Sequence, residues 1–104
     1  MNLGETIKTL RKERGMKQKD LAEKAGISAN ALLFIEKDRS LPTRETIDSI
    51  CKALDISVSY LLLSALTDDD VPKEKRELFK ILREPLMSFV EEKEKTPVKR
   101  KPYK

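Results

Sequence analysis

The stretch Gln18-Lys19-Asp20-Leu21-Ala22-Glu23-Lys24-Ala25-Gly26-Ile27-Ser28-Ala29-Asn30-Ala31-Leu32-Leu33-Phe34-Ile35-Glu36 contains two short amphipathic helix patterns separated by one glycine turn. The first pattern ends at Ala25. Gly26 can adopt the left-handed conformation that stops a helix, and Ser28 is a good N-cap for the next. Two helices joined this tightly must cross steeply, which lets one lie across a phosphate backbone while the other enters a major groove.

Upstream, Asn2 followed three residues later by Glu5 is a capping-box pattern, and Leu3, Ile7 and Leu10 repeat at one-face helical spacing until Gly15. Helix 2 then runs from about Gln18 to Ala25 with Leu21, Ala22 and Ala25 inward. Helix 3 runs from about Ala29 to Lys37 with Ala31, Leu32 and Ile35 inward. Leu41-Pro42 breaks the chain, and Thr43 caps a fourth helix whose buried stripe is Ile47, Ile50, Cys51 and Leu54. Ser57 caps a short fifth helix carrying Val58, Tyr60, Leu61 and Leu62. Five short helices with short connections predict an all-α globule over residues 1–65.

Residues 66–92 form an acidic connector, with Asp68, Asp69 and Asp70, followed by a helical segment from Lys73 to Glu92 that Pro85 should kink or split. Its apolar stripe has two readings: a sixth helix folded over the core, or a dimer interface formed by Leu78, Phe79, Leu82, Leu86 and Phe89 together with Tyr60 and Leu62. Residues 93–104 carry two prolines and many charges with little to bury, the composition of a basic disordered tail.

Charge distribution is more informative than its sum. The chain of 104 residues has a formal net charge of +4. Residues 1–65 hold 11 basic and 9 acidic side chains, residues 66–92 hold 5 and 8, and residues 93–104 hold 6 and 1. Most of the excess lies in the tail, so any argument for nucleic acid rests on where particular residues sit. With no histidine and one cysteine, most metal sites, the common general base and an internal disulfide are excluded or weakened. The three aspartates have neither the glycine nor the distal glutamate of a calcium loop. No cofactor, metal or catalytic constellation is expected, and the chain reads as a non-enzyme. No apolar run approaches a membrane span and no secretion signal opens the chain, so a cytoplasmic location is expected.

The ordered set Ile7 to Arg11, Gly15, Gln18, Leu21-Ala22, Ala25-Gly26-Ile27-Ser28, Ile35-Glu36, Leu41-Pro42, Ile47, Leu54 and Val58-Ser59-Tyr60-Leu61-Leu62 resembles the lambda-repressor-like, Cro/CI-type (XRE) family of helix-turn-helix regulators. The resemblance covers residues 1 to about 63. It implies binding of double-stranded DNA at a near-palindromic operator, as a homodimer, to regulate transcription, more often as a repressor. It also implies that Gln18 bonds a phosphate and buttresses helix 3, and that Ser28, Ala29, Asn30 and Phe34 face the groove. Lys37 and Arg39 would meet phosphates, and Arg11 and Glu36 would form an internal ion pair.

Asn30 suits a bidentate contact to adenine because its amide both donates and accepts. Two departures from the family pattern stand out. Lys17 replaces the usual Ser or Thr before helix 2, giving up a cap of about 1 kcal/mol, although with Lys19 it can reach a phosphate. Leu33-Phe34 places large apolar groups on a face that is usually polar; Phe34, with Ala29, would meet thymine methyl groups. The alternative is an antitoxin-like or bridging module in which helix 3 or the 73–92 stripe binds another protein.

Overall fold

The computed structural model describes residues 1–91, so the basic tail expected at 93–104 lies outside the described residues. The elements are α1 (Leu3–Glu13), α2 (Gln18–Ala25), α3 (Ala29–Glu36), α4 (Arg44–Leu54) and α5 (Val58–Ala65). Two 3₁₀ turns, Asp68–Asp70 and Lys73–Lys75, then lead into α6 (Arg76–Val90). The architecture is all-α, with no strand among the described residues.

Local chemistry sets most of the boundaries. Ser28, Thr43 and Ser57 have extended backbones, and their hydroxyl oxygens accept from the N–H of Ala31, Thr46 and Tyr60 at 3.0, 3.1 and 3.0 Å. Each thereby satisfies one of the orphan donors of a first helical turn. Gly26 ends α2 at φ 74°, where a side chain would be strained. Asp55 and Asp38 end α4 and α3 in the same left-handed region without being glycine.

Asn2 departs from expectation. Its side chain caps nothing, and its N–H instead donates to the Ala65 carbonyl at 2.7 Å. That bond ties the entry of α1 to the end of α5 and holds Asn2 away from the extended conformation that an N-cap needs.

Ile7, Leu10, Leu21, Ala22, Ala25, Leu32, Ile35, Ile50, Cys51, Leu54 and Leu61 form one buried cluster. Its members come from α1 to α5 at the spacing read from the sequence. Ala31, Ile47, Val58 and Tyr60 are only half-buried, and Leu62 is exposed. Burial pushes the Cys51 thiol up to about 11, with Asp48 adding to the shift and Arg44 opposing it. It stays a protonated, small apolar group at neutral pH.

α6 narrows one expectation, a kink or a split at Pro85, and divides another. Pro85 does not split it, since the helix is continuous from Arg76 to Val90. Pro85 and Ile81 are both exposed, so the Ile81 carbonyl left without its proline donor can be served by water. No α6 residue is fully buried, yet Phe79, Arg83, Met87 and Val90 are half-buried in a stripe at helical spacing. The Val90 carbonyl accepts from Ser57 Oγ at 3.3 Å, which lays the helix back along α5. The adjacent stripe of Leu78, Ile81, Leu82, Leu86 and Phe89 stays open. The segment therefore folds onto the core and still keeps an unpartnered apolar face.

Gly4 is the one glycine closely approached by another element. A Cβ there would lie 2.5 Å from the Ile35 carbonyl oxygen and 2.8 Å from both the Glu36 carbonyl and Asp38 Oδ1. Two of these obstacles are backbone at the end of α3, which cannot swing aside. Gly4→Ala is expected to destabilise the domain by about 1–3 kcal/mol, the usual cost of overpacking, as read by urea unfolding; an unchanged midpoint would contradict this packing.

Candidate nucleic-acid interface

α3 turns Leu32, Ile35 and Glu36 inward and Ala29, Asn30, Phe34 and Lys37 to solvent, with Leu33 half-buried between the two sets. The helix is apolar on most of its circumference, and Phe34 remains 44% exposed. The Asn30 side chain makes no hydrogen bond among the described residues, so both halves of its amide are available. Ser28 is exposed, but its hydroxyl is committed to capping α3.

The inner side of α3 is anchored by an ion pair nearly closed to solvent. Arg11 Nε donates to Glu36 Oε2 at 2.8 Å, and Nη2 donates to Glu36 Oε1 at 3.1 Å. The third donor, Nη1, reaches the Met16 carbonyl at 2.9 Å in the α1–α2 turn. Gln18 Nε2 donates to Glu36 Oε1 at 3.0 Å, bringing in the first residue of α2. The guanidinium fork and the carboxylate match in a bidentate pair, and α1, α2 and α3 meet at one carboxylate. The buttressing expected of Gln18 is present as this bond.

The outer end of α3 has a second anchor. Arg39 N–H donates to the Phe34 carbonyl at 2.8 Å and Asp38 N–H to the Ile35 carbonyl at 3.0 Å, a closing turn that requires Asp38 at φ 58°. Glycine would take this conformation without strain, but Asp38 Oδ1 also accepts from the Gly4 N–H at 3.3 Å. The carboxylate thus sits at the N-terminus of α1, where a helix dipole favours negative charge. Sequence reading missed both Gly4 and Asp38. The signal available was a glycine inside the first turn of α1, where alanine would otherwise be favoured.

At the start of α2, Lys17 provides no side-chain cap. Asp20 Oδ2 accepts from the Lys17 N–H at 3.0 Å, so part of the expected loss is made good from inside the helix. Lys17, Lys19, Lys37 and Arg39 are all exposed, whereas Asp20, Glu36 and Asp38 are engaged in hydrogen bonds that hold the fold. The ends of α2 and α3 therefore present free cations beside acids already in use. Among the described residues no group of three His, Cys, Asp or Glu side chains is arranged to hold a metal, and no helix is long and apolar enough to cross a membrane. Of the aspartate run, Asp70 is occupied by the Thr67 N–H at 2.8 Å and by the Met1 amine at 2.8 Å.

Removing one partner of the buried pair leaves the other as an uncompensated charge. Glu36→Ala is expected to cost about 3–5 kcal/mol in chemical denaturation. A loss below about 1 kcal/mol, the range of an exposed pair, would contradict the burial described.

Comparison with known proteins agrees with this arrangement. The chain is 44% identical over 62 residues to the immunity repressor protein of Bacillus phage phi105, a match that takes in 60% of this chain and 43% of that protein. It is 38% identical over 61 residues to the HTH-type transcriptional regulator SinR of Bacillus subtilis, covering 58% and 55%. The match thus spans about half the length of these relatives. Over 80 residues it is 30% identical to the cryptic phage CTXphi transcriptional repressor RstR of Vibrio cholerae, covering 76% and 72%. Among solved structures, a SinR protein/SinI protein complex aligns at 32% identity with TM-score 0.59, over 88% of this chain and 84% of the other. The clp gene regulator ClgR of Corynebacterium glutamicum aligns at 26% identity with TM-score 0.63, over 83% and 92%. Residues 7–61, more than half of the sequence, match the helix-turn-helix family model, and the chain belongs to the XRE-type helix-turn-helix family.

Proposed function

We propose that the protein is a cytoplasmic, sequence-specific double-stranded DNA-binding repressor of transcription that binds a near-palindromic operator as a homodimer. The observation that carries this reading is the outward face of α3. It combines a free amide at Asn30 with apolar groups at Ala29 and Phe34, and exposed Lys37 and Arg39 follow at its end. A major groove offers the complement to each: the acceptor and donor of adenine, the thymine methyl and the flanking phosphates. Lys17, Gln18 and Lys19 at the start of α2 meet the backbone, with Gln18 using the amide capacity that Glu36 leaves free. The names borne by the relatives, immunity repressor and transcriptional regulator, support this reading.

Dimerisation uses the open face of α6. Leu78, Ile81, Leu82, Leu86 and Phe89 are 54%, 64%, 44%, 41% and 85% exposed. At roughly 200 Å² for a fully bare large side chain, they uncover on the order of 600 Å², the upper end for a monomer's largest apolar patch. Two copies face to face bury about 1,200 Å², the lower end of the range for stable interfaces. The expected interface is narrowed relative to the sequence reading. Tyr60 packs against the core and Phe79 is half-buried beside Arg83, while Leu62 remains exposed. A second reading places a different protein on this face. It is supported by the SinR neighbour, which was solved with SinI and whose alignment spans 88% of this chain.

In vitro selection from random duplexes at about 150 mM salt, which suppresses nonspecific phosphate binding, is expected to enrich a motif with the wild type. Asn30→Ala is expected to lose about 1–3 kcal/mol on that motif and to relax one A·T position; equal losses on all sequences would contradict base reading by α3. In light scattering, Ile81→Glu is expected to convert a dimer to a monomer with unchanged helicity. A wild type that is already monomeric would favour the second reading.

A further inference from the structure

We infer that Arg83 is a positioning residue that fixes the spacing between the two half-sites of the operator, by locking the roll and translation of α6 on the DNA-binding core. The inference rests on the proposed dimeric DNA reading. Its starting point is the end of α5, where the Leu66 carbonyl accepts from Arg83 Nη1 at 3.0 Å and the Ser64 carbonyl from Arg83 Nη2 at 3.2 Å. A cation from another helix thus occupies the negative end of the α5 dipole and satisfies carbonyls left without intrahelical partners.

The same guanidinium lies over the Phe79 ring, 5.7 Å from its centroid. One planar group is therefore held between a ring on α6 and two carbonyls at the end of α5. Other polar ties between the two helices are weaker: Ser64 Oγ to Met87 Sδ at 4.0 Å and Ser57 Oγ to the Val90 carbonyl at 3.3 Å. No α6 side chain is fully buried to set its angle by packing.

The roll of α6 decides which stripe faces outward. With Phe79, Arg83, Met87 and Val90 turned to the core, Leu78, Ile81, Leu82, Leu86 and Phe89 face the second copy. From α5 the orientation passes through Asn2 at the Ala65 carbonyl to α1. Gly4 with Asp38 and Arg11 with Glu36 then carry it to α3. Each link is a directional bond between helices, and at the α5–α6 junction Arg83 supplies two of the four side-chain hydrogen bonds among the described residues, and the two shorter ones. Two recognition helices must enter grooves about one helical turn apart. Play at this junction appears at α3 as tolerance of the spacing between half-sites.

The test uses the full-length protein and duplexes carrying two copies of the selected half-site, at the preferred spacing and shifted by one to five base pairs. Wild type is expected to lose roughly 10²-fold in affinity on mis-spaced duplexes, because the second half-site then cannot be engaged together with the first. Arg83→Ala should remain dimeric and bind a single half-site within about twofold of wild type, while its spread across spacings collapses to below about fivefold. Arg83→Lys, which keeps the charge but not the two-donor fork, should fall between them and carries the test if Arg83→Ala does not fold. An unchanged spacing profile, a monomeric Arg83→Lys, or an equal loss on the single half-site would overturn the inference. If wild type selected no motif, the DNA reading itself would fail; a selected motif bound with the same spacing profile by wild type and Arg83→Ala would instead overturn the role of Arg83 alone.

Discussion

The Arg11–Glu36 pair fixes the helix on which function depends. Its two charges are almost fully removed from water, and such burial is tolerated only when every donor and lone pair is well used. Here the third guanidinium nitrogen donates to the Met16 carbonyl, and the carboxylate accepts a third hydrogen bond from Gln18. The arrangement gains little stability over an apolar core, but it has directionality that an apolar core lacks. Arg11 from α1 and Gln18 from α2 converge on the single Glu36 carboxylate of α3, and Arg11 is itself tied to the α1–α2 turn at Met16, so α3 cannot rotate without breaking several bonds together.

That constraint explains how a domain with a small core can keep an apolar face of α3 turned outward. Exposed Phe34 and Ala29 favour collapse inward, and a loosely held helix would turn them toward Leu32 and Ile35. The ion pair on one side and the Gly4–Asp38 contact at the end resist that rotation. α6 shows the complementary case, an apolar face kept outward because a polar contact, Arg83 on the end of α5, holds the opposite stripe to the core. Both outward faces thus depend on polar groups inside the fold.

Much of this was legible in the sequence. The Ser28, Thr43 and Ser57 caps, the Gly26 stop and the apolar periodicity gave five helices nearly to the residue, because those signals are local. The Arg11–Glu36 pair came through resemblance, since no local rule joins residues 25 apart. What stayed hidden is nonlocal: Asn2 is claimed by Ala65 rather than by its own helix, and Gly4 is required by carbonyls on α3. Asp38 takes a conformation that glycine usually holds because its carboxylate has a distant partner. Of the kink or split expected at Pro85, the split did not form, because Pro85 and Ile81 face solvent and the freed carbonyl can be hydrated. The two stripes of α6 merged into one broad apolar pattern until Arg83 was placed between its partners.

The most direct test of the central claim, that α3 reads base edges from the major groove, is base-analogue interference on a bound operator. Replacing adenine by 7-deazaadenine removes the N7 acceptor, and replacing thymine by uracil removes the methyl group, both in the major groove and without touching the minor groove. Two patches of interference on one face of the duplex, about one helical turn apart, are predicted for paired recognition helices. Binding that persists unchanged with both analogues at every A·T position would contradict the account.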